Sequence, residues 1–211
     1  LFSSIGDSNN NGFASKLNYK SQYIINESKL KAFIDLNYIE NTFQPIERIF
    51  DVEFNRDWDL NNTIIRNSNQ LFSNIVLDLI NKKIGTIKYG WENLKYYNQY
   101  NGIKNSISFN SNNIKNLRIS SNTSFMESNQ NQYSSNFTDS NNKIDILYEN
   151  GWIELTYNNE RKKSNGNTNL NTPDFGQQQY QIKKGFGNPE KSFIEIGYLN
   201  NNNDSIVDGN L

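Results

Sequence analysis

The chain contains no cysteine and no histidine, and only one methionine and three prolines, in 211 residues. Each absence excludes a class of chemistry. Without Cys there is no disulfide scaffold, no thiol nucleophile and no Cys-ligated zinc or iron–sulfur centre. Without His there is no Ser-His-Asp triad and no His-ligated metal or haem. No run of about 18 apolar residues occurs, so no helix of membrane-spanning length is encoded. The 21 basic and 22 acidic residues leave a net charge of -1, which lacks the basic excess of a nucleic-acid footprint. Hydrophobic residues make up 35% of the chain, below the roughly 45–50% of an ordinary globular domain.

What is present is unusual in kind. There are 41 Asn, 13 Phe, 12 Tyr and three Trp. Disordered chains are poor in aromatic and β-branched residues, so this composition argues for a folded chain. Its polar mass is Asn and Ser rather than charge. These residues favour turns and solvated, pleated surfaces over helix interiors.

The apolar residues repeat with period 2 almost throughout, the signature of strands with one wet and one dry face. Phe13, Leu17, Tyr19 and Tyr23 alternate with Lys16, Asn18, Lys20 and Gln22. Leu30, Ala32, Ile34, Leu36 and Tyr38 follow the same rule, as do Val52, Phe54, Arg56, Trp58 and Leu60 against Asp51, Glu53, Asn55, Asp57 and Asp59. Further runs are Leu71 to Leu79, Gly85 to Trp91, Ile103 to Phe109, Leu117 to Phe125, Ile144 to Tyr148, Ile153 to Tyr157, Tyr180 to Ile182 and Ile194 to Tyr198. Between them lie turn-formers that tolerate positive φ: Asn101-Gly102, Ser111-Asn112-Asn113, Asn141-Asn142, Asn150-Gly151, Asn165-Gly166 and Gly185 to Pro189. Two connections read as long polar loops, near 127–142 and 160–179.

The expected fold is all-β: about ten long strands in an antiparallel meander, one β region over 1–211. Such a sheet must protect its edges, by closing into a barrel or by folding into a soluble β-sandwich or β-solenoid. Strand length favours the barrel. Ten residues rise roughly 33 Å, and at a tilt of about 40° they cover roughly 25 Å, the apolar band of an outer-membrane barrel. Trp58, Trp91, Tyr96, Tyr97, Trp152 and Tyr157 are candidate interface aromatics, because Tyr and Trp prefer the membrane–water boundary. Tyr and Trp are also good strand formers and core fillers, so the pattern alone leaves both roles open. Arg56 sits awkwardly on an apolar face, where a mid-membrane Arg costs roughly 2–4 kcal/mol.

In class, the chain resembles large outer-membrane β-barrel proteins of the Bacteroidetes type. The segments carrying the resemblance are Val52 to Leu60, Tyr89-Gly90-Trp91-Glu92 and the polar stretch Asn200 to Ile206. No plug motif, TonB box or active-site signature accompanies it. It implies a fragment of a longer chain, placed in the bacterial outer membrane and acting in transport, secretion or surface assembly. The implied partners are membrane lipid or lipopolysaccharide and other outer-membrane or surface subunits.

Asp51, Glu53, Asn55, Asp57 and Asp59 form the densest acidic run and are the candidate polar lumen face. Carboxylates at i and i+2 on one strand stand about 7 Å apart, too far to chelate one ion, so a solvated face is expected. Arg161-Lys162-Lys163 reads as a basic loop tip. No carboxylate pair stands out as a catalytic acid and base. The expectation is a non-enzymatic barrel component with no cofactor and no nucleic-acid partner. The alternative is a secreted or cell-surface β-sandwich adhesin or glycan-binding module.

Overall fold

The computed structural model describes residues 2–5, 11–43, 58–60, 68–130, 133–166, 174–188 and 192–204. These residues form one antiparallel meander of eleven strands in strict sequence order. The strands are β1 (Phe2–Ile5), β2 (Asn11–Ile25), β3 (Ser28–Ile39), β4 (Gln70–Asn81), β5 (Gly85–Tyr96), β6 (Tyr100–Ile114), β7 (Leu117–Gln130), β8 (Tyr133–Tyr148), β9 (Gly151–Gly166), β10 (Phe175–Asn188) and β11 (Ser192–Asp204). Among the described residues no helix occurs, no second sheet packs on either face, and β1 and β11 do not pair. Among these residues no sandwich or solenoid is formed, and the sheet is not closed.

The two ends of the sheet differ. At one end the hairpins close through short turns at Asn26–Glu27, Lys82–Ile84, Lys115–Asn116 and Glu149–Asn150. Asn26 and Asn116 supply the positive φ, 50° and 61°, that two-residue turns demand. Asn81 stabilises a third turn: its side-chain oxygen accepts from the Lys83 and Ile84 amides at 2.9 and 3.0 Å. At the opposite end the short turn Tyr97–Gln99 joins β5 to β6, and the long connection of residues 40–69 joins β3 to β4.

Every apolar run read from the sequence between Phe13 and Tyr198 falls on a strand, except the one at Val52 to Leu60. There, residues 58–60 form a turn, with Asp59 at φ 50°. Residues 51–57, including Arg56, lie outside the described residues.

The strands are longer than their apolar runs. All but β1 span 12 to 16 residues. The segments expected as long loops are largely strand: 127–130 ends β7, 133–142 opens β8, 160–166 ends β9 and 175–179 opens β10. The expected turns at Ser111–Asn113, Asn141–Asn142 and Gly185–Asn188 are also within strands, as is Asn200 to Asp204. Lateral pairing explains why Asn and Ser are tolerated there. Ser120 Oγ donates to Asn110 Oδ1 at 3.0 Å, Ser121 Oγ to Asn142 Oδ1 at 2.6 Å, and Asn158 Nδ2 to Gln179 Oε1 at 3.0 Å. Each bond links neighbouring strands, so side chains that would otherwise nucleate turns reinforce the ladder.

Candidate functional site

The register divides every side chain between two faces. Leu17 pairs with Leu36, Ile34 with Ile75, Leu77 with Tyr89, Tyr89 with Ile107, Ile144 with Leu155 and Ile182 with Tyr198. These pairs share one face and draw an apolar band across β2 to β11. The exposed large hydrophobic residues lie on this face, except Ile24, Ile84, Tyr97 and Leu199. Exposure is high even in the middle of the sheet: Leu77 is 39% exposed and Ile107 54%. Nothing among the described residues covers them.

The band has a boundary. On β9 it runs from Ile153 through Leu155 to Tyr157, after which Asn159, Arg161 and Lys163 take the same face. On β10 and β11 it stops at Tyr180 and Tyr198 before Gln178 and Asn200. Tyr157 and Tyr180 are register partners with ring centroids 4.8 Å apart. On β5 the band ends at Trp91, followed by Asn93 and Lys95. Lys184 lies within the band near the short-turn end, its ammonium 5.0 Å from the Phe186 ring. That placement suits a cation reaching out of an apolar layer.

The other face is polar, and near the long-connection end it carries the buried cluster. Trp58, Leu94, Tyr96, Tyr100 and Met126 pack together, with Leu60, Phe72 and Phe137 against them. Trp58 meets Phe72 edge-on at 6.2 Å. Gly102 leaves space for it, since a Cβ there would stand 2.9 Å from Trp58 Cε3. The β3–β4 connection therefore folds back over the polar face at Trp58 to Leu60.

A polar lock holds this turn. The Tyr100 hydroxyl donates to the Trp58 carbonyl at 2.6 Å, and Gln130 Nε2 donates to the Asp59 carbonyl at 2.8 Å. The Asp59 carboxylate accepts from Ser135 Oγ and Lys162 Nζ, both at 2.8 Å, and from the Tyr133 hydroxyl at 3.2 Å. Three of these donors come from β8 and β9. Tyr96, Tyr100 and Tyr133 lie beyond the band. Burial pushes the Tyr96 phenol up to about 12. It also raises Tyr100 and Tyr133, and the Asp59 charge adds to both shifts. All three therefore stay protonated at neutral pH, as the two donors to the turn must.

The residues singled out from sequence now have places. Asp51, Glu53, Asn55 and Asp57 lie outside the described residues, and Asp59 sits in the locked turn rather than on a strand face. Trp91 and Tyr157 lie on the apolar face at its polar boundary. Trp58, Tyr96 and Trp152 are buried on the polar side, and Tyr97 is in a turn. Trp152 packs over Gly185, where a Cβ would collide with its ring. Lys162 is no loop tip: its side chain is 6% exposed and pairs with Asp59. Sequence reasoning also missed Gln130, Tyr133 and Ser135, whose roles depend on a contact more than 70 residues away. Among the described residues, no group of three or more carboxylates is placed to hold a metal ion. Neither a family model, nor a curated protein, nor a solved structure matches the chain.

Proposed function

We propose that this chain forms part of the wall of a bacterial outer-membrane β-barrel and acts, without catalysing a reaction, in transport, secretion or surface assembly. One observation carries the reading: a single-layer antiparallel sheet exposes an apolar band from β2 to β11 on one face and a charged face on the other. Water on both sides would leave that band exposed over ten strands, far beyond the few hundred Å² of apolar patch a soluble monomer tolerates. Lipid on one side and an aqueous lumen on the other suits both faces. Tyr and Trp at the edge of the band fit the interfacial preference of these side chains. The one long connection, between β3 and β4, lies at the end opposite the turns at Asn26–Glu27, Lys82–Ile84, Lys115–Asn116 and Glu149–Asn150, which fits longer loops on one side of such barrels.

Refolding the chain into detergent micelles and lipid vesicles tests this reading. The expected result is heat-modifiable migration on gels and protection of the band from water-soluble probes. A monodisperse protein in buffer without detergent would refute it.

A further inference from the structure

We propose that a trough on the polar face over β2 to β5 binds an anionic sugar, a ring bearing hydroxyls and a carboxylate or phosphate. The trough has a volume of about 730 Å³, within the range of small-molecule pockets. Register builds it from two rows. Lys31, Asp78 and Lys88 are partners across β3, β4 and β5, and Lys20, Phe33 and Val76 are partners in the row beside them.

Three observations together specify the ligand. First, among the described residues no carboxylate lies within ion-pair distance of Lys20, Lys31 or Lys88. Three ammonium groups thus surround one carboxylate, and the excess positive charge favours an anion. Second, the Gln22 and Asn74 amides and the Asp78 carboxylate line the trough. Amide and carboxylate oxygens call for donors, which a bare anion cannot supply and hydroxyls can. Third, Phe33 and Val76 give the trough an apolar floor, with the Lys20 ammonium 5.4 Å from the Phe33 ring. A sugar ring has an apolar C–H face to lay on such a floor. A ligand with an anionic group, hydroxyl donors and an apolar face answers all three.

The placement of this site in a pore lumen rests on the proposed function; the site itself is a property of the sheet. Calorimetric titration of the detergent-folded chain tests it, with digalacturonate, glucose 6-phosphate, cellobiose and inorganic phosphate as probes. The expected result is binding of digalacturonate, glucose 6-phosphate or both, weakened at least tenfold by Lys31→Gln with Lys88→Gln and by high salt. Binding of one acidic sugar alone identifies carboxylate or phosphate as the recognised group. Asp78→Asn is expected to narrow the preference for the acidic sugar over inorganic phosphate. Equal binding of cellobiose, equal binding of inorganic phosphate, or indifference to the double lysine substitution would overturn the site. Heat-modifiable migration of each variant separates loss of the site from loss of the fold. Binding failure by a chain that still inserts into vesicles counts against the site alone.

Discussion

Two stretches of the polar face, each within a few residues of the short turns, handle charge in opposite ways. On β8 to β10, Lys143 lies 2.6 Å from Glu154 and 3.5 Å from Asp145, and Lys183 lies 3.6 Å from Glu154. These ion pairs tie three strands together. On β2 to β5, Lys31 and Lys88 stand on either side of Asp78 without reaching ion-pair distance. In the first stretch charge joins strands; in the second it is left facing the trough. Side chains of the same type, on the same face of one sheet, are thus structural in one place and available in another.

Substitutions can break or sharpen that contrast. The largest effect is expected at the locked turn, where pairing is most complete. Lys162→Ala removes the ammonium that lies 2.8 Å from the Asp59 carboxylate, and loss of one partner of a buried pair costs about 3–5 kcal/mol. Urea unfolding of the detergent-folded chain, followed by Trp fluorescence, measures it. The double variant Asp59→Asn with Lys162→Met should recover part of the loss, and no recovery would show that the pair is not the cause.

A smaller effect is expected at Gly102→Ala, whose methyl would crowd Trp58 and the Tyr100 hydroxyl. Overpacking of this kind costs about 1–3 kcal/mol, and the Trp emission should shift as Trp58 is displaced. An unchanged spectrum and stability would place Trp58 elsewhere. Next comes Glu154→Gln, which removes the carboxylate shared by two lysines. Lys143 is 43% exposed, so solvent screening keeps the expected loss to about 1 kcal/mol or less. The smallest effect is expected at Lys31→Gln, within about 0.5 kcal/mol, because no ion pair is broken. If Lys31→Gln costs as much as Glu154→Gln, the two stretches do not differ in the way described.

The positions of the strands were legible because alternation is local: Leu30 to Tyr38 and Ile144 to Tyr148 each announce a strand within one short run. Strand length was not. Above the band, β8 reads Tyr133 to Asn142 with almost no apolar alternation, and a segment rich in Asn and Ser looks like a loop. Only the neighbouring ladder shows that those side chains bond sideways, as Ser140 Oγ does to Thr123 Oγ1 at 3.1 Å. Trp58 and Asp59 illustrate the opposite error. Their alternation with Phe54 and Asp57 suggests a strand, yet they form a turn that pairs with a lysine 103 residues away. The trough was illegible for a related reason. Lys20, Lys31, Asp78 and Lys88 are ordinary wet-face residues until register sets them side by side.

The strand directions also govern how the sheet can be joined to anything else. In a strict antiparallel meander, odd-numbered strands run one way and even-numbered strands the other, so β1 and β11 point in the same direction. They cannot be antiparallel neighbours. β1 borders only Asn11 to Ala14, and the stretch of β2 from Ser15 to Ile25 has no second neighbour among the described residues. An antiparallel seam therefore has two geometries. Either β11 docks directly on that open stretch of β2, with β1 left as a short flap beside the seam, or an odd number of further strands stands between β11 and β1. Four residues of β1 thus act as a parity mark on the rim of the sheet.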